Sequence, residues 1–232
     1  MKRVDILFEN DEVLVLNKPA GLAVQGGAGI AVSLDRLLEK TYHPRPLLVH
    51  RLDQDTSGVI LTAKNRDAAA RFSRLFAEEK PRPGGSVLGG AGTGGMLVKQ
   101  YRALCAGTPP EDSGLIEYSL GIRGMEKTAR TAYKRLGGNG EFSLLELELG
   151  TGRTHQIRRH LAKIGNPVLG DDKYGDFGLN KRLRRTMGLR RLLLHACRLV
   201  IPAGPDGSGA LDISAPLPEY FTPFLELFKN PV

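Results

Sequence analysis

Cysteine is almost missing from this chain: only Cys105 and Cys197 occur. Two thiols flanked by apolar residues exclude a disulfide framework and read as buried free thiols. No apolar run approaches the ~20 residues that a membrane-spanning helix needs. The opening Met1-Lys2-Arg3-Val4-Asp5 lacks the features of a secretory signal. A soluble, cytoplasmic protein with no membrane partner is expected. No Gly-Lys-Ser/Thr triplet is present, which excludes a P-loop. Gly90-x-Gly92-x-x-Gly95 matches the letters of a dinucleotide fingerprint, but that fingerprint opens a helix, whereas this segment runs into Leu97 to Cys105, which alternates like a strand. His155 and His160 are five apart, with no glutamate between them, so the zinc-protease helix is excluded too. Gly-x-Ser-x-Gly is absent. A loop holding His50, Asp53, Asp55 and Ser57 has the residue types of a hydrolase triad, without the elbow or the oxyanion hole. Neither a cofactor nor a metal is expected.

What is present is positive charge. The 232 residues carry a net +8, with 41% hydrophobic and 25% charged residues. That hydrophobic content suffices for a core, and the length suits one domain, 1–232. Basic residues cluster at Arg123, Lys127, Arg130, Lys134 and Arg135, and again at Arg153, Arg158, Arg159 and Lys163. A third cluster, Lys181 to Arg191, contains no acidic residue. One such cluster is an ordinary solvated surface; three in a chain of this charge favour nucleic acid.

Short strands outnumber helices in the hydrophobic pattern. Strands are expected at Ile6 to Phe8, Val13 to Leu16, Val59 to Thr62, Leu97 to Cys105, Leu115 to Ile122, Ala129 to Leu136, Phe142 to Leu149 and Leu192 to Ile201. Helices are expected from Ser33 to Lys40, from Arg66 to about Glu79 behind an Asn65 cap, from about Thr154 to Ile164, and from Pro218 to Phe228. Residues 81–96 are Gly-rich and read as a mobile surface loop. The pattern points to an α+β fold with a mixed, mostly antiparallel sheet flanked by helices and loops.

Two polar clusters carry the chemistry. His50-Arg51-Leu52-Asp53-Gln54-Asp55-Thr56-Ser57-Gly58 lies between the apolar runs Leu47 to Val49 and Val59 to Leu61. Alone, it reads more readily as a turn with a structural Asp–Arg pair than as a site. The other is Gly152-Arg153-Thr154-His155-Gln156-Ile157-Arg158-Arg159-His160, where a helix would set His155 and Arg159 on one face. Together, the two clusters closely resemble the motifs of the RluA family of RNA pseudouridine synthases. Asn17-Lys18-Pro19-x-Gly21, Lys99-x-Tyr101, Gly165-x-Pro167-Val168-x-Gly170-Asp171-x-x-Tyr174-Gly175 and Leu194-His195-Ala196 are similar to the family's other motifs, in the family's order.

The resemblance implies a bent sheet with the active cleft across its middle. It implies that Asp53 is the catalytic aspartate, that Arg158 pairs with it, and that Tyr101 packs on the target base. Arg51 would fill the space left by a flipped nucleotide, and His50, Arg153, His155, Gln156 and Arg159 would contact RNA. No cofactor is implied, and a monomer is expected. The finer features resemble the branch acting on large-subunit ribosomal RNA; a transfer-RNA synthase and a non-catalytic RNA-binding or ribosome-assembly protein are the alternatives. The first strand of the catalytic pattern begins near residue 5, so no S4-type module is expected ahead of it.

Overall fold

The computed structural model describes residues 4–78, 96–122, 125–204 and 209–228. In chain order the elements are β1 (Asp5–Glu9), β2 (Val13–Lys18), α1 (Leu34–Thr41), β3 (Leu47–Leu48), β4 (Ser57–Ala63), α2 (Arg66–Ala77), β5 (Val98–Ala106), β6 (Ser113–Ile122), β7 (Met125–Gly138), β8 (Phe142–Leu149), α3 (Gln156–Lys163), α4 (Phe177–Thr186), β9 (Leu194–Ile201), β10 (Leu211–Ser214) and α5 (Thr222–Leu225). The α+β reading holds, and every strand ladder with an assigned register is antiparallel. Arg123 and nearly all of the Gly-rich segment fall outside the described residues.

Two compact units emerge. Among the described residues, the first comprises 4–78, 96–98, 196–204 and 209–216. Its strands run β1-β2-β4-β9, with β10 on β9 and β3 on β4. All seven residues of β4 are buried, as are Val13 to Leu16 of β2. Burial on both faces explains why both read as continuous apolar runs rather than alternating ones. Asn65 caps α2 by accepting the Ala68 amide at 2.8 Å. Phe72, on the buried face of α2, packs with Val15, Leu61, Leu199 and Ile213; burying a side chain of that size contributes about 2 kcal/mol.

The second unit comprises 99–122, 125–195 and 217–228 among the described residues. Its strands run β5-β8-β7-β6. The β6–β7 pair keeps register from Ser113–Lys134 to Ile122–Met125, a longer hairpin than the hydrophobic pattern marks. The core gathers Leu104, Leu169, Leu183, Leu193, Phe221 and Phe224. Two expectations change here. The C-terminal stretch is broken into 3-10 turns around a four-residue α5, because Pro223 cannot continue a helix from within. And α4 lies in what the sequence shows only as a basic run. Its Asp176 cap accepts the Leu179 amide, and Leu183 and Asn180 form its buried face.

Gly58, at the start of β4, has φ +112°, and a Cβ there would overlap the backbone of Ala196. Gly58→Ala is therefore expected to destabilise the fold by at least about 2 kcal/mol. Gly121, with open space around it, is the control: Gly121→Ala should leave stability nearly unchanged. Urea unfolding of the two variants checks the contrast.

Candidate active site

The Asp53 loop belongs to the first unit, and it is fastened by a buried cation. Lys18 ends β2 with 0% exposure. Its ammonium donates to the carbonyls of Leu22 (2.9 Å), Gln54 (2.9 Å) and Pro19 (3.2 Å). A buried lysine is costly unless its protons find acceptors, and here they tie the Asn17 to Gly21 turn to the loop. The Gly21 amide also donates to Gln54, and the Thr56 amide donates to the Asp53 carbonyl. Leu52, Thr56 and Ser57 are buried, Asp53 is half-buried and Arg51 is exposed. The loop thus presents a guanidinium outward and a carboxylate at the boundary with solvent. The sequence marks Lys18 only as part of the Asn17 to Gly21 motif and does not show its burial; a polar residue ending a strand gives no sign of which way it points.

His50 is occupied by the scaffold. Its Nε2 accepts the Leu61 amide at 2.9 Å, so that nitrogen carries no proton. The bond extends the pairing that β3 makes with Thr62 and Ala63 of β4. The imidazole stacks on Phe76 of α2 with centroids 4.0 Å apart.

In the second unit, Tyr101 lies on β5 opposite Leu147 of β8 and is only 9% exposed. Arg158 lies on α3, 5% exposed. Its Nε and Nη2 donate to Asp171 Oδ2 and Oδ1, each at 2.7 Å, and Nη2 also reaches Asp172 at 3.4 Å. Its guanidinium stands 5.3 Å from the centroid of the Tyr174 ring. Asp171 Oδ1 accepts the Lys173 and Tyr174 amides as well. Burial pushes the Asp171 carboxyl upward, but the Arg158 hydrogen bonds and those two amides outweigh it and hold it below the usual range. Asp171 stood within a recognised motif, yet nothing in a spacing of 13 residues marks it as the partner of Arg158.

The residues ahead of Arg158 are organised by Gln156. It is buried, and its amide is fully engaged. Oε1 accepts from Thr151 (2.6 Å) and the Arg153 amide (3.0 Å), while Nε2 donates to the Arg130 carbonyl (2.9 Å) and Thr131 (3.0 Å). Contact with RNA was expected of Gln156; the structure gives it the work of clamping α3 to β7. His155 does not share a helical face with Arg159, because α3 starts one residue later. It is the N-cap, at φ 53° and ψ 28°, and among the described residues it alone combines a side chain with a positive φ. A non-glycine residue held left-handed costs on the order of 1 kcal/mol and recurs at functional sites. Its Nδ1 lies 3.1 Å from the Tyr174 hydroxyl. Arg153 and Arg159 are half-buried. His160 is fully buried; burial drives its pKa down to about 4, opposed by the Tyr118 backbone and aided by Arg159 and Lys163. It is neutral at physiological pH.

A family profile described as RNA pseudouridylate synthase matches residues 12–163. The chain is 32% identical to the ribosomal large subunit pseudouridine synthase C of Rickettsia typhi, over 94% of this chain and 69% of that protein. It is 34% identical to the ribosomal large subunit pseudouridine synthase D of Pasteurella multocida, over 97% and 71%. Among solved structures it resembles human RNA pseudouridylate synthase domain containing 4, with a TM-score of 0.74 and 26% identity over 97% of this chain and 92% of that one.

Asp171→Asn removes the buried carboxylate that grips the Arg158 guanidinium from its Nε and Nη2 side, and a loss of up to about 3–5 kcal/mol is expected. The pH dependence carries the same signature. A carboxyl whose pKa is depressed by folding contributes stability that is present above its unfolded value, near ~3.9, and is lost as pH falls through the folded one. Urea midpoints measured down an acid series should show that loss in the wild type and less of it in the variant.

Proposed function

The chain belongs to the RNA pseudouridylate synthase family, of RluA type, and on that footing we propose that it isomerises specific uridines in large-subunit ribosomal RNA, with Asp53, Tyr101 and Arg158 as catalytic residues. The span of the family match is what supports this most: residues 12–163 take in all three. Ribosomal RNA is favoured over transfer RNA because the Rickettsia typhi and Pasteurella multocida relatives are named for the large ribosomal subunit. The two compact units act, on this reading, as one catalytic domain, since the family match includes parts of both.

The reaction breaks the bond from ribose carbon 1 to ring nitrogen 1, turns the base and rejoins the ribose to ring carbon 5. The hydrogen on carbon 5 leaves as a proton, and nitrogen 1 gains one, so atoms and electrons balance without an oxidant or a phosphoryl donor. A stacked uridine must first leave its helix, at a cost of a few kcal/mol. Arg51, exposed on the Asp53 loop, is suited to occupy the gap. Asp53 acts as nucleophile or base, and the family resemblance gives Arg158 the part of its basic partner. Tyr101 supplies a flat face for the base and a hydroxyl for proton movement. His50 and Gln156, held inside their own units, position the Asp53 loop and α3. Arg153, His155 and Arg159 are left to meet the RNA backbone. Among the described residues no helix is long and apolar enough to cross a membrane, and we place the protein in the cytoplasm, as a monomer.

Asp53→Asn keeps the size of the side chain and removes its charge and basicity. Turnover is expected to fall to background while RNA affinity and melting temperature stay near wild type. Pseudouridine yield, RNA affinity and thermal melting, measured on one preparation, check this. A folded variant with near-normal yield overturns the catalytic assignment, and a grossly destabilised one makes Asp53 structural.

A further inference from the structure

Helix α4 leaves a face to which the catalytic roles assign nothing. On a helix, Phe177, Lys181 and Arg185 fall in one line, each about 6 Å beyond the last. All three are exposed, and Phe177 keeps 62% of its surface in water. Arg184 flanks the line and is exposed too. Among the described residues, no carboxylate lies within ion-pair distance of Lys181, Arg184 or Arg185. Arg182, on the other flank, is the cation of this helix that does pair, with Glu141. An acid-free strip with an unsheltered phenyl ring has the two features that single-stranded nucleic acid requires: cations for phosphates and a flat apolar face for a base.

The opposite face of the helix fixes where the strip stands. Asn180 donates to the Asp171 carbonyl and accepts the Gly170 amide, both at 2.9 Å. Asp171 in turn holds Arg158. The outward strip is therefore mounted on the same rigid piece as the Arg158 guanidinium, two hydrogen-bonded steps away.

We propose that the outward face of α4 is a second RNA contact, binding a single-stranded segment beyond the target uridine by stacking a base on Phe177 and seating phosphates on Lys181, Arg184 and Arg185. The proposal rests on the RNA reading above and deepens it. RNA held on this strip is held in register with Arg158, so the strip favours sites flanked by an unpaired segment, whatever the sequence of that segment.

The test is a binding measurement on the full chain with three probes, a labelled oligouridine, an RNA duplex of matched length and an anionic phospholipid vesicle, the first two across a salt series. The triple variant Lys181→Gln, Arg184→Gln, Arg185→Gln should lower the slope of log affinity against log salt for oligouridine by about 2, at roughly 0.7 per phosphate contact on a single strand. Phe177→Ala should weaken oligouridine binding about tenfold, the order expected for one lost base–aromatic stack, and leave duplex binding unchanged. Melting temperatures confirm that both variants are folded. Folded variants that bind oligouridine with wild-type affinity and slope overturn the proposal. So does a loss confined to anionic phospholipid vesicles, which assigns the strip to a membrane surface. A wild-type protein that binds through this strip and makes no pseudouridine unseats the proposed reaction and leaves the strip standing.

Discussion

Two 2.7 Å hydrogen bonds between Arg158 and Asp171, made where neither side chain is more than 5% exposed, hold the second unit's functional end together. Well-packed apolar residues in their place would fold as well or better, so the pair is poor evidence of a need for stability. It is good evidence that a cation is wanted in one orientation. A guanidinium gripped from its Nε and Nη2 side cannot turn. Asp171 is fixed by the amides of the loop that follows it and, through its carbonyl, by Asn180 of α4. Tyr174 of that loop faces both Arg158 and His155. One ion pair thereby sets the aim of Arg158, the start of α3 and the seating of α4.

The first unit handles the same problem with a different buried charge. The Lys18 ammonium donates to three backbone carbonyls. It welds one loop to another and leaves Asp53 at the solvent boundary. In each unit a cation taken out of water helps fix a segment that carries a proposed catalytic residue: Lys18 the Asp53 loop through its carbonyls, and Arg158 itself through the Asp171 carboxylate. Preorganisation of this kind is what a reaction with no cofactor depends on, because the protein must supply the geometry by itself.

The frame of the fold was legible because its signals are local. β2 and β4 are buried on both faces and read as unbroken apolar runs, and α2 shows an Asn cap followed by apolar residues at helical spacing. The Asp53 loop was legible from the contrast between its polarity and its apolar flanks. α4 was not, since its apolar face consists of little beyond Leu179 and Leu183, and six cations between Lys181 and Arg191 drown that period. Its one local signal, Asp176 as a cap, is a common letter. The partners of Lys18, Arg158 and Gln156 escaped for another reason. A carbonyl 36 residues from Lys18 and a carboxylate beyond a turn from Arg158 are brought near by tertiary packing alone. His155 was read as helical because its neighbours are; the left-handed cap it forms has no signature in a histidine.

The proposed reaction is a single chemical event, the exchange of a carbon–nitrogen for a carbon–carbon bond at uridine. That event expels the hydrogen on ring carbon 5, so it can be followed directly. Large-subunit ribosomal RNA transcribed with uridine tritiated at carbon 5 should lose tritium to water when incubated with the purified protein, with no cofactor added and a chelator present. One tritium should be released for each pseudouridine found by digestion. Folded protein that binds the RNA and releases no tritium from this or from transfer RNA would contradict the account.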